Sequence, residues 1–203
     1  MNKSQLILGL TGPMAAGKNA AANILTTKGF LCIDADMFVH KAIEIAKPQI
    51  IDAFEKQATL QSIALHNTDK SINRKALALL VFKNKKNLAI QESIVHPIVE
   101  RMISEYIQKN KNKNIVLNAT VLYKVPSINR CQAIIFVTAP FFTRLKRAKK
   151  RDNLSILHIF KRFWQQKGLF SKYFLINPDT YRVKNCGSLN DLEKNIEKVL
   201  SLL

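Results

Sequence analysis

The feature that most constrains this chain is a short apolar run, Leu6-Ile7-Leu8-Gly9-Leu10, that breaks directly into Thr11-Gly12-Pro13-Met14-Ala15-Ala16-Gly17-Lys18-Asn19. The run is too short for a buried helix and is bounded by turn residues, so it reads as a strand buried on both faces of a parallel sheet. The segment after it has the spacing G-x-x-x-x-G-K. Its glycines let successive backbone N–H groups turn inward on phosphate oxygens, and the helix starting near Lys18 adds its positive end. Lys18 would reach the outer phosphates. Position 19 departs from the pattern, because Asn stands where a Ser or Thr hydroxyl ordinarily holds magnesium. Its side-chain carbonyl is also a neutral oxygen, one atom further out.

Ala20 to Lys28 is helix-forming and ends at Gly29, a C-terminal cap, and Phe30 to Ile33 is a second strand. Further strands are expected at Ile115-Val116-Leu117 and Ala133 to Val137, with a weaker one at Tyr181-Arg182-Val183. Five short buried strands separated by helices imply a parallel sheet covered on both faces. The segments between them are too long for simple crossovers. Residues 37–110 carry helical stripes, Ala76, Leu77, Leu80 and Val81 on one and Ile94, Val95, Ile98 and Met102 on another. Residues 141–180 are basic and amphipathic. Both read as insertions into a core of residues 1–36, 111–140 and 181–203.

At 203 residues and 47% apolar composition the chain can bury a sizeable interior. No apolar run approaches the roughly 18 residues of a membrane span, and no membrane partner is expected. Three scattered cysteines suggest neither a disulfide framework nor a structural zinc site, so a reducing cytoplasm is the expected location. The net charge of +18 favours polyanionic partners, although a composition rich in Lys, Asn and Ile supplies part of it. The excess concentrates between Arg144 and Lys184, where Asp152 and Asp179 are the only acids.

The second strand runs into Asp34-Ala35-Asp36, then Met37-Phe38-Val39-His40. Two carboxylates at i and i+2 off a strand end beside a phosphate loop are well placed for a metal and a reacting hydroxyl. Together with the loop, this D-A-D segment closely resembles dephospho-coenzyme A kinase, and the resemblance runs nearly the whole chain. Arg74-Lys75-Ala76-Leu77, Val81-Phe82 and Ile94-Val95-His96-Pro97-Ile98 are similar to that family's R-x-x-L, V-F and H-P-I pattern. Taken alone, His96 before a proline reads as a helix-entry residue. Arg147-x-x-x-Arg151-Asp152 and Arg162-x-x-Gln165 resemble its lid, and Asn185-Cys186-Gly187-Ser188 its N-x-G-S turn near the ATP adenine.

The resemblance implies an α/β fold, a P-loop kinase three-layer sandwich with a parallel five-stranded sheet, a helical substrate-binding insertion over 37–110 and a basic lid over 141–180. It implies ATP-dependent phosphorylation of the ribose 3'-hydroxyl of dephospho-coenzyme A, with Mg2+ as cofactor. Asp36, Lys18, Arg147 and Arg151 would be catalytic, with Arg144 a further lid cation. ATP would lie on Gly12, Pro13, Met14, Ala15, Ala16, Gly17, Lys18, Asn19, Ala20, Asn185 and Gly187. The acceptor would meet Thr11, Asp36, His40, Arg74, Phe82, His96 and Pro97, and the metal Asn19 and Asp34. Departures cluster at the metal: Asn118 and Lys124 stand where the family has acidic residues, and Asp179 falls one position early. Two other readings are a P-loop kinase with another small-molecule or nucleotide acceptor, and a non-catalytic nucleotide-dependent protein that binds nucleic acid. The retained carboxylates and lid arginines favour catalysis, and nucleic acid is not the expected partner.

Overall fold

The computed structural model describes residues 5–152, 155–173 and 178–203; the Asp152 side chain and positions 153–154 and 174–177 of the expected lid lie outside the described residues. In chain order the elements begin β1 (Ile7–Thr11), α1 (Lys18–Thr27) and β2 (Leu31–Asp34). Four helices come next: α2 (Ala35–Ile45), α3 (Lys47–Leu60), α4 (Arg74–Val81) and α5 (Lys85–Lys109). Then come β3 (Ile115–Asn118), β4 (Ala133–Thr138), α6 (Phe141–Asp152), α7 (Ile156–Gln165), β5 (Asp179–Lys184) and α8 (Leu189–Leu200). The chain divides into two compact units, Met1–Asp34 with Ile107–Leu203, and Ala35–Tyr106.

The first unit carries a parallel five-stranded sheet in the order β2-β3-β1-β4-β5. The strands are the apolar runs legible in the sequence, and β1 and β3 are buried along their whole length. On one face Leu8, Leu10, Val116, Ile135, Val137 and Val183 pack against Ala21 and Leu25 of α1 and Leu192 and Ile196 of α8. Fully burying each of the larger side chains stabilises by roughly 1.5–3 kcal/mol, which fixes α1 against the sheet and the loop before it at the sheet's C-terminal edge. Ser188 and Asp191 form a reciprocal capping box that starts α8 immediately after the last strand. Gly29, at φ 88°, ends α1 as expected. The weakest expected strand is longer than its apolar signal, since β5 pairs with β4 from Asp179 to Lys184. It is an edge strand with exposed Asp179, Arg182 and Lys184, so burial leaves little mark on its sequence.

The second unit is helical among its described residues, apart from an isolated bridge between His66 and Ile72. Its first expected stripe holds: Ala76, Leu77, Leu80 and Val81 of α4 are buried. The other is shifted. Of the expected stripe Val95 is buried, and with Val99, Ile103 and Ile107 it makes up the buried apolar positions of α5, while Ile94, Ile98 and Met102 are only partly covered. Nor does Pro97 open a helix. It lies inside the 25-residue α5, so His96 is a mid-helix residue.

Candidate active site

The loop between β1 and α1 is shaped by positions that admit no side chain. Gly17 has φ 100°, and a Cβ there would fall on the Asn185 amide nitrogen; a Cβ on Gly12, at φ 155°, would fall on the Val137 carbonyl oxygen. Both residues need the backbone freedom of glycine and also its missing volume. Ala15, at φ 60°, holds a left-handed conformation rare for a residue with a side chain.

Residues far along the chain hold this loop by its own backbone groups. Gln166 Oε1 accepts from Met14 N at 2.7 Å, and Arg144 Nε donates to Met14 O at 2.8 Å. Asn185 Nδ2 donates to Ala16 O at 2.8 Å, and Arg147 Nη1 donates to the Ala16 and Asn185 carbonyls at 3.4 Å each. Met14 and Ala15 pack on Ala148 of α6 and on Ile159 and Phe163 of α7. Helices α6 and α7 and the turn after β5 thus converge on one glycine loop. Arg144, Arg147 and Arg151 recur at i, i+3 and i+7 of α6, which puts them on one helix stripe. Gly187 cannot carry a Cβ without meeting the Asp191 carboxylate of the capping box.

Thr11, at the end of β1, is fully buried. Its hydroxyl donates to Thr120 O at 3.2 Å and shares a 3.2 Å hydrogen bond with the Tyr173 hydroxyl, which accepts from Tyr123 N at 3.2 Å. The side chain of Thr11, expected at the acceptor, is held in a buried network at the strand end below the loop. Burial pushes the Tyr173 phenol above its ordinary pKa, so it stays a neutral hydroxyl in that network.

The chemistry of the metal-side residues fits magnesium. Asn118 and Asp34 are register partners at the ends of β3 and β2, two residues beyond Val116 and Cys32, which pack toward the α1 core. Alternation along a strand therefore turns Asn118 and Asp34 to the side of the sheet that α1 covers, where Asn19 sits in that helix's first turn. Asn118 Oδ1 is buried with no hydrogen-bond partner among the described residues. A buried orphan carbonyl oxygen beside a carboxylate is a donor set that a hard cation accepts, and magnesium ordinarily takes one or two protein oxygens, phosphates and waters.

In the helical unit, Asp36 and His40 are exposed one turn apart on α2, which places them on one helix face. Arg74 opens α4 behind the Asn73 cap, whose side chain accepts from Ala76 N, and Phe82 ends it with 75% of its surface exposed.

Two residues at the loop were not singled out by sequence reasoning. Gln165 was the expected lid glutamine, yet it is exposed and its neighbour Gln166 makes the loop contact. Tyr173 had no signal at all, since it lies 162 positions from the threonine it meets.

A parallel sheet in this order, with a glycine loop feeding a helix at its C-terminal edge and arginines converging on that loop, defines a P-loop kinase. The particular family emerges from comparison with known proteins. The profile of the dephospho-CoA kinase family matches residues 6–175. The dephospho-CoA kinase of Treponema denticola is 40% identical over 195 residues, covering 94% of this chain and 87% of that protein. Among solved structures, one from Thermus thermophilus superposes with a TM-score of 0.82 at 28% identity, covering 99% of both chains. The dephospho-CoA kinase of Campylobacter jejuni superposes at 0.67 and 25% identity, covering 96% of this chain and 95% of that one. The chain belongs to the dephospho-CoA kinase family, phosphotransferases that carry out the last step of coenzyme A biosynthesis. Among the described residues, no helix is long and apolar enough to cross a membrane.

Proposed function

We propose that this chain transfers the γ-phosphoryl group of ATP to the ribose 3'-hydroxyl of dephospho-coenzyme A in the cytoplasm, giving coenzyme A and ADP. The observation that carries this reading is a phosphate loop whose carbonyls and N–H groups are held by lid and turn residues, Arg144, Arg147, Gln166 and Asn185. Phosphoryl transfer leaves the protein little covalent work, so rigid positioning and positive charge supply most of the catalysis. ATP lies on residues 12–20, with Asn185 and Gly187 at its base end and Lys18 on the outer phosphates. Arg147 and Arg151 offset the charge that develops on the transferring group. Asn19, Asp34 and the Asn118 oxygen would hold magnesium, which when bound would offset the polyphosphate charge. Asp36 orients the attacking hydroxyl and accepts its proton. His40, Arg74, Phe82, His96 and Pro97 receive the acceptor, a small molecule rather than nucleic acid, and Phe82 offers an apolar surface to its pantetheine arm.

The test is ADP release with ATP, magnesium and dephospho-coenzyme A beside nucleosides and nucleoside monophosphates. Selective turnover of the first is expected. Asp36→Asn, at an exposed position, should leave the circular dichroism spectrum unchanged and lower kcat by about 10²-fold or more, the usual contribution of a positioned base. Turnover within a few-fold of wild type would remove Asp36 from this role.

A further inference from the structure

Tyr173 is only 2% exposed, and core packing asks for no more than its ring. That ring stands edge-on to Phe136, with centroids 5.6 Å apart, and to Tyr123, at 5.8 Å. A phenylalanine would fill the same space with no buried polar tip to satisfy. The hydroxyl is therefore the feature that packing leaves unexplained.

Its two hydrogen bonds have a fixed direction. The one hydrogen of the Thr11 hydroxyl is occupied by Thr120 O, so Thr11 Oγ1 accepts from the Tyr173 phenol, whose oxygen in turn accepts from Tyr123 N. Burial raises the pKa of the phenol, which keeps it a donor. The three bonds close a ring that ties the end of β1 to the segment after β3. Lys172, beside Tyr173 in the 3-10 turn Phe170–Tyr173, takes the other end of Tyr123: its Nζ donates to the Tyr123 hydroxyl at 2.9 Å and lies 4.6 Å from the ring centroid.

The ring lies where two functional segments diverge. β1 and β3 are paired as far as Leu10 and Asn118, and Ala119 N donates to Leu10 O at 3.1 Å. Beyond that bond Thr11 runs into Gly12 of the glycine loop, while Asn118, with its buried orphan Oδ1, stands two residues before Thr120. The stretch that carries Tyr173 also carries Gln166, whose Oε1 accepts from Met14 N. Residues 166–173 thus touch both the glycine loop and the segment that follows Asn118.

We infer that Tyr173 is a positioning residue for the metal side of the glycine loop, its hydroxyl fixing where the Asn118 carbonyl stands against that loop. The inference rests on the placement of magnesium proposed above. Tyr173 touches neither nucleotide nor metal; it acts through Thr11 and Tyr123. Nucleotide on the loop and magnesium beside Asn118 are coupled sites, each binding better with the other present, and Tyr173 carries part of that coupling.

Calorimetry tests this by measuring the affinity of a non-hydrolysable ATP analogue with and without magnesium, in the wild type and in Tyr173→Phe, with circular dichroism alongside. The ratio of the two affinities is the readout, because a general loss of core stability leaves it in place. Tyr173→Phe should cut the ratio about fivefold, the effect of one lost hydrogen bond, and leave the magnesium-free affinity within about twofold of wild type. Thr11→Val breaks the ring from its other side without altering the aromatic packing, so it carries the test if Tyr173→Phe does not fold. It should lower the ratio equally, Thr11→Ser should keep the wild-type ratio, and the double variant Thr11→Val with Tyr173→Phe should lose no more than either alone. The inference is overturned by wild-type ratios in both single variants, by equal losses with and without magnesium, or by a wild-type affinity that magnesium leaves unchanged. ADP release from the wild type with dephospho-coenzyme A separates the two claims. Turnover beside unchanged ratios refutes the positioning role alone, whereas lowered ratios in a chain without turnover uphold it and refute the proposed reaction.

Discussion

Gly17→Ala is the most direct probe of how the loop is built, because the structure divides its cost into two parts. The first is backbone: at φ 100° an L side chain is strained, worth about 1–2 kcal/mol. The second is volume. The new Cβ coincides with the Asn185 amide nitrogen, so Asn185 must abandon its 2.8 Å hydrogen bond to Ala16 O. Ala16 O then keeps only the longer 3.4 Å bond from Arg147, and losing its shorter one costs about 0.5–1.5 kcal/mol. The sum is about 1.5–3.5 kcal/mol, which for a chain of this size lowers the melting temperature by about 3–14 °C. Gly29→Ala is the internal control: φ is 88° but no atom lies within 4 Å of the added Cβ, so it carries the backbone part alone. Thermal unfolding by circular dichroism on both variants, with the ATP KM measured alongside, gives the volume part by difference. A Gly17 variant no less stable than the Gly29 variant, with ATP affinity unchanged, would refute the argument that Asn185 and the loop interlock.

Gln166→Ala removes the acceptor of Met14 N and should raise the ATP KM about fivefold, as loss of about 1 kcal/mol of loop ordering, whereas Gln165→Ala should leave it unchanged. Burial pushes the Cys131 thiol up to about 12 from 9.0. The folded state therefore keeps its proton where the unfolded state loses it, and this contribution, intact below pH 9, declines by about 1.4 kcal/mol per pH unit from there toward pH 12. Urea titrations should show a correspondingly shallower alkaline loss in Cys131→Ala, and thiol labelling of the native protein should reach exposed Cys186 well before Cys131. Asn19→Ser shortens the side chain beside the proposed metal, so half-saturation of turnover should occur at lower magnesium concentration; an unchanged titration would take Asn19 out of the metal's surroundings.

Sequence alone determined what is covalently local. The buried run of β1, the glycine spacing after it and the start of α1 are contiguous, so their conformation and their affinity for phosphate follow from residues within about a dozen positions of one another. The acidic Asp34 and Asp36 and the buried face of α4 were legible for the same reason. Tertiary structure decided what depends on side-chain direction and on distant partners. Gln165 and Gln166 are chemically identical neighbours, and only the packing of Ile159 and Phe163 turns the second of them toward Met14. The buried stripe of α5 is set by what the helix packs against, which is why Val95 alone of the expected stripe is fully buried and Val99, Ile103 and Ile107 join it. The hydroxyl of Thr11 meets that of Tyr173, 162 positions along the chain, a contact with no mark in the sequence. A sequence states which groups can donate, accept or bury; which of them meet is settled by a fold that brings positions more than a hundred residues apart within hydrogen-bond reach.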